Sequence, residues 1–205
     1  RMRDDDGAPL ADRLGHRLVV VHVADVVGVD AEVLATHAAH REAEPHVHPG
    51  GVRPHRLVDE LPQPREFDDA RRNFGIMKIT YREENYTPID MADAWCLHAG
   101  GGEIIPGIWA IPTPGHTHGH QSLLIRGRQR NAYFLGDVMP TRHHVGAPYN
   151  MGYDLLPLEN RDSKSLMLQR AAEEDALILI DHDPEEPVVR VVREGDWYTL
   201  HPFRP

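Results

Sequence analysis

Three apolar runs in this chain stop at residues of the kind that bind metal ions. Ile108-Trp109-Ala110-Ile111 leads through Pro112-Thr113-Pro114 to Gly115-His116-Thr117-His118-Gly119-His120. Ala132-Tyr133-Phe134-Leu135 leads to Gly136-Asp137, and Ala176-Leu177-Ile178-Leu179-Ile180 leads to Asp181-His182. Neutral imidazole is the commonest protein metal ligand near neutral pH. A carboxylate has two oxygens and can bridge two ions. Taken singly, each signal is ordinary. Gly-Asp after a strand makes a turn, and His182 beside Asp181 and Asp183 makes a surface ion pair. Taken together, three strand ends on one sheet edge would present their ligands to a common point. Glycines at 115, 119 and 136 let the chain turn sharply beside each of them.

The elements that must position these groups can be read from the apolar pattern. Strands are expected at 104–105, 108–111, 122–125, 132–135 and 176–180, separated by Pro106-Gly107, by Pro112 to His120 and by Gly127 to Asn131. Val188–Val192 and Trp197–Leu200, joined by Glu194-Gly195-Asp196, read as a terminal hairpin. A helix is expected over Ser165–Asp175, with Asp162 and Ser163 as caps, and shorter ones near 66–74 and 88–95. Leu18–Val23 and Val33–His37 read as early strands, but from Ala38 to Pro64 no period of 2 or 3.6 survives. Mixed strands and helices of this kind make an α+β or layered α/β domain.

Composition narrows the function. The chain has 205 residues, 32 acidic against 22 basic side chains and a net charge of −10. That balance argues against a general nucleic-acid or anionic-membrane binder. One cysteine, Cys96, excludes an internal disulfide scaffold. No apolar run approaches the roughly 20 residues of a membrane span, and Arg1–Asp6 is not signal-like. A single cytoplasmic domain is expected, irregular over 1–64 and regular over 65–205. Histidine occurs 15 times, seven of them before residue 56.

The block Pro112-Thr113-Pro114-Gly115-His116-Thr117-His118-Gly119-His120-Gln121-Ser122 resembles the T-P-G-H-T-P-G-H motif of the metallo-β-lactamase-fold hydrolases. Phe134-Leu135-Gly136-Asp137-Val138-Met139-Pro140-Thr141 and Ile180-Asp181-His182-Asp183-Pro184 follow in the same order and spacing as in that family. Met151-Gly152-Tyr153-Asp154 and Tyr81–Tyr86 are similar to segments of its lactonase-like branch. The resemblance implies an αββα sandwich, with an incomplete first sheet as one expectation for so short a chain. It implies His116 as a ligand of a first metal, Asp137 as the catalytic carboxylate bridging two metals, and His182 as a ligand of the second. Zinc is the implied cofactor, one ion or two, with Mn²⁺ or Fe²⁺ as alternatives. The implied activity is hydrolysis of an ester, lactone or related bond in a small molecule by metal-bound hydroxide. His118 replaces the family's proline and is expected at the surface or behind the ligands. His120 matches a structural histidine. Tyr149 and Tyr153 are expected to pack in the core, with contact to a substrate oxyanion as the alternative.

The family's T-H-x-H-x-D-H signature is absent. Val33-Leu34-Ala35-Thr36-His37 resembles its entrance, with His37 in the place of its first metal-binding histidine. Ala39, Arg41 and Glu42 then stand where the next histidine, the aspartate and the last histidine belong, and arginine in the aspartate slot would repel a cation. Three explanations stay open. Histidines 37, 40, 46, 48 and 55 rebuild a metal site in another way; the site is degenerate and the protein an inactive binding module; or residues 16–64 are a frame-disturbed segment.

Overall fold

The computed structural model of the protein describes residues 63–72, 80–91, 95 and 97–204. Seven strands lie side by side in chain order: β1 (Gly102–Ile105), β2 (Ile108–Pro112), β3 (Gln121–Ile125), β4 (Ala132–Phe134), β5 (Leu177–Leu179), β6 (Val188–Glu194) and β7 (Trp197–Pro202). Helices α1 (Pro64–Arg72) and α2 (Glu83–Met91) precede the sheet, and α3 (Pro157–Glu173) joins β4 to β5. The architecture is α+β. The early strands expected over 18–23 and 33–37, and with them any second sheet of a sandwich, lie outside the described residues.

Of the six neighbouring strand pairs, five would follow from simple hairpins, but one does not. β4 and β5 are parallel, with Ala132 opposite Leu177 and Phe134 opposite Leu179, whereas the other pairs are antiparallel. Parallel neighbours need a crossover, and α3 supplies it. The direction of β4 is therefore shared by β5, and by β2 through two antiparallel steps. All three strands finish on the same sheet edge. The loops that follow them, carrying His116, Asp137 and His182, start from that edge.

Alternation along β5 explains why α3 returns where it does. Ile178 and Ile180 point to the face where Tyr133, Leu135 and Val189 meet Met167, Leu168 and Ala171 of α3. Leu177 and Leu179 point the other way, to Ile125, Ala132 and Val188, with Phe134 and Phe203 beside them. All five residues from Ala176 to Ile180 are buried, so the strand is apolar without interruption, as central strands covered on both faces are. The hydrophobic burial of this layer fixes the direction of the chain into Asp181-His182.

The start of α3 differs from expectation. The helix begins at Pro157 rather than Ser165, and neither Asp162 nor Ser163 caps it. Proline at the first helical position lacks an N–H that the helix would leave unpaired anyway, and its φ is already helical. Ser163 instead donates to the Pro114 carbonyl at 2.7 Å, and Asp162 pairs with Arg161 at the surface. No helix among the described residues is long and apolar enough to cross a membrane.

Candidate metal centre

The loop after β2 is bent by Gly115, whose φ of +150° suits glycine alone. A side chain there would drive a Cβ to 2.2 Å from the Cα of Asn160, so helix α3 presses directly on this turn. The next two residues are stitched to the chain just before α3: Leu156 N–H donates to the Gly115 carbonyl at 2.9 Å and Leu155 N–H to the His116 carbonyl at 3.1 Å. That stitching brings Asp154 under the imidazole.

His116 is held from behind. Its Nδ1 lies 2.8 Å from Oδ1 of Asp154, whose side chain is fully buried. The other Asp154 oxygen accepts from Met151 N–H at 3.0 Å and from Asn160 Nδ2 at 3.1 Å. A carboxylate accepts only, so the ring proton of His116 sits on Nδ1 and Nε2 is left with its lone pair facing outward. That lone pair points to Asp137, with Nε2 3.6 Å from Oδ2. On the opposite side, His182 Nε2 is 3.3 Å from Asp137 Oδ1 and 3.5 Å from Asp181 Oδ2.

Asp137 itself is placed by histidine chemistry of another kind. Gly136, at φ +58°, turns the chain out of β4, and a Cβ there would meet His120 Nε2 at 2.9 Å. The Asp137 N–H donates to that same Nε2 at 3.2 Å. Nδ1 of His120 therefore carries the proton and faces Thr113, 2.9 Å from Oγ1 and 3.2 Å from the carbonyl. Thr113 passes to Ser122 at 3.0 Å, and Ser122 donates to the Leu135 carbonyl at 3.0 Å. Burial holds the His120 ring below its ordinary value, with His116 adding to this and Asp137 opposing. Both of its nitrogens are engaged, so it positions the aspartate and has no atom left for a cation.

His182 is set by a second lock. Its N–H donates to the Pro140 carbonyl at 3.1 Å. The buried Asp183 carboxylate receives the Arg142 N–H at 3.0 Å, the Arg142 guanidinium at 3.0 Å, and the N–H groups of Glu185 and Glu186. Burial pushes this carboxyl up, but three main-chain donors and Arg142 outweigh that and hold it below the ordinary range. Asp181 goes the other way: burial and then the nearby Asp137 charge raise it, against the pull of His182.

The donor set fits a small divalent cation. Ligand atoms about 2.0–2.2 Å from a tetrahedral ion stand roughly 3.3–3.6 Å from each other, and the three nitrogen–oxygen separations above fall in that range. Asp137, Asp181 and His182 each offer an atom within 4.8 Å of the others. His116, Asp137 and His182 are thus brought together. His37 lies outside the described residues, as do the other N-terminal histidines.

Beside His116 and Asp137 lies a cleft of about 320 Å³, lined also by Glu66, Thr80, Tyr81 and Gln121 among others. Helix α1 contributes Glu66 to its lining. Glu66 accepts from Gly119 N–H at 3.1 Å and from the Tyr81 hydroxyl, and Asp69 accepts from His118 Nδ1 at 2.9 Å. His118 is thereby tied to α1, behind the turn and away from Asp137. Tyr149 and Tyr153 do not pack in the core: they are 61% and 55% exposed. They ride on the loop that delivers Asp154, and the Tyr153 ring meets His116 edge-on with centroids 5.8 Å apart. Asp154, Asp183, Glu66 and Asp69 were not among the sequence candidates. Asp154 and Asp183 left a trace, the first within Met151-Gly152-Tyr153-Asp154 and the second within Ile180-Asp181-His182-Asp183-Pro184.

No protein-family model and no curated protein matches this sequence. Solved structures do. A probable metal-dependent hydrolase from Staphylococcus aureus aligns at 24% identity and a TM-score of 0.61, over 71% of this chain and 53% of that one. The hydrolase AbOPH of the beta-lactamase superfamily aligns at 16% identity and 0.62, over 71% and 55%. AidC, a dizinc quorum-quenching lactonase, aligns at 14% and 0.56, over 71% and 54%. The chain spans about half the length of the structures it matches. Its topology, with the loops of His116, Asp137 and His182 leaving one sheet edge, is that of the metallo-β-lactamase fold.

Proposed function

We propose that the protein is a divalent-metal-dependent hydrolase acting on an ester, lactone or related bond of a small molecule. The observation that carries this reading is the convergence of His116 Nε2 and His182 Nε2 on the two oxygens of Asp137, with His116 fixed by a buried carboxylate. In this reading His116 would be a ligand of a first zinc, His182 with Asp181 ligands of a second, and Asp137 a ligand shared by the two. A bound divalent ion supplies a Lewis acid for the scissile carbonyl and lowers the pKa of water from 15.7 to about 7.

The chain's own residues do the rest. Asp154 keeps the His116 lone pair forward, and His120 keeps Asp137 in place through its main chain. Asp137 is a half-buried carboxylate that lines the cleft between His116 and His182, and it is the group through which both would share a cation. The Tyr153 ring braces the His116 imidazole edge-on. Of the structures named above, AidC was solved as a dizinc lactonase with the product N-hexanoyl-L-homoserine, which supports a carboxylic ester of modest size as substrate.

The test is zinc titration of the purified protein together with a panel of aryl esters and lactones. Stoichiometric zinc and hydrolysis, both lost in Asp137→Ala, support the proposal. Zinc bound only in trace amounts, with no turnover, overturns it in favour of an inactive member of this fold.

A further inference from the structure

Lys164 is the most unusual side chain outside the cleft. It projects from the middle of α3, its relative exposure is zero, and no carboxylate contacts it among the described residues. Its ammonium donates to the Gly146 carbonyl at 2.9 Å and the Tyr149 carbonyl at 2.6 Å, with Asn150 Oδ1 at 3.5 Å. Buried lysines are rare unless paired, because an ammonium loses its hydration there. This one sits beneath a loop with two exposed tyrosines.

The same helix holds that loop a second time. One turn earlier, Asn160 Nδ2 reaches Asn150 Oδ1 at 3.2 Å and Asp154 Oδ2 at 3.1 Å. Asp154 in turn meets His116. We propose that Lys164 is a positioning residue: its side-chain nitrogen, a donor to two loop carbonyls whether or not it is charged, seats the 146–154 loop on α3, and through that loop it keeps Asp154 and the Tyr153 ring against His116.

A seated loop that buries an ammonium must respond to pH. Burial pushes Lys164 down to about 8 from 10.5, with Asp154 opposing. The other titratable group facing it is His144, from the one-turn helix Arg142–His144 before the loop, lowered by burial and then by the Lys164 charge. If the loop lifts, the ammonium regains water and its ordinary value. The lifted form therefore binds the proton more tightly, so protonation favours lifting and rising pH favours seating. With a seated value near 8, the lifted fraction falls roughly tenfold between about pH 6.5 and about pH 9.

The inference rests on the hydrolase reading only in treating His116, which the loop braces, as part of the site. The experiment measures water-exchange rates of the Tyr149, Met151, Asp154 and Leu155 amides by NMR, on the full chain without added metal, divided by rates for unstructured peptides. Protection of these amides should rise roughly tenfold over that pH range. Amides of β5 should not follow, and Lys164→Met and Lys164→Gln should show lower protection without the pH trend. A flat wild-type profile, a slope retained in either variant, or a parallel rise in β5 overturns the proposal. The comparison with β5 needs no variant to fold. A flat loop profile in a zinc-binding hydrolase defeats this inference alone, whereas a pH-responsive loop in a protein that binds no zinc defeats only the functional reading.

Discussion

Replacing Asp154 by asparagine changes one atom and forces a choice. Asp154 Oδ1 now accepts from His116, while Oδ2 accepts from Met151 N–H and Asn160 Nδ2. Asparagine has a single acceptor oxygen. If that oxygen stays with the Met151 and Asn160 donors, its NH₂ faces His116 Nδ1, which must give up its proton to accept. The proton then moves to Nε2, and the lone pair aimed at Asp137 disappears. If the oxygen turns to His116 instead, the NH₂ meets two donors in a fully buried position. Either way a buried hydrogen bond to a charged group is lost, about 1.5–3 kcal/mol, and in the second case donors are also left facing donors. Loss of an orienting carboxylate of this type typically lowers metal affinity 10–100-fold, or about 1.4–2.8 kcal/mol. The assay is zinc affinity by competition with a chromophoric chelator, with the His116 tautomer read from its ¹⁵N shifts. Unchanged affinity together with an unchanged Nδ1 proton would refute the orientation argument. Alanine is the less informative substitution, because it removes donor and acceptor conflicts together.

Other perturbations are decided by close approach or by buried polar partners. Gly115→Ala puts a methyl group at 2.2 Å from the Asn160 backbone, which cannot retreat as a side-chain tip can, so thermal stability should drop by more than about 3 kcal/mol. A melting temperature equal to wild type would contradict this geometry. Tyr133→Phe removes a hydroxyl that donates to Glu174 at 2.7 Å and should cost about 1 kcal/mol in urea unfolding. Met167→Ala, at a wholly buried α3 position against the sheet, should cost about 2–5 kcal/mol in the same assay. Chelation should lower the melting temperature of zinc-loaded protein and leave the Asp137→Ala variant unmoved.

Much of the sheet was legible because its strands are apolar runs punctuated by glycine and proline. β5 was the clearest, with five buried apolar residues ending at Asp181. The grouping of His116, Asp137 and His182 was also legible, since each follows such a run. What holds them was not. Asp154 lies 38 positions after His116, and no local pattern links the two. Lys164 reads as an exposed helix residue among Asp162, Ser163 and Ser165, and only the return of the 146–150 loop over α3 buries it. The start of α3 was misplaced because two good capping residues, Asp162 and Ser163, compete on paper with Pro157. In the folded chain Ser163 is turned to Pro114. Tyr149 and Tyr153 were expected inside because aromatic residues bury large areas, but a loop laid over a helix has an outer side, and they occupy it.

The parallel pairing of β4 with β5 has an evolutionary reading. Asp137 and His182 are 45 positions apart in the chain, yet their closeness follows from two ladder neighbours that share a direction. The stretch between Arg142 and α3 can vary without moving either end, provided a carboxylate still reaches His116. A lineage with this arrangement can rewrite the segment over residues 145–156, and with it the molecules that are admitted, while the pair beneath is inherited intact.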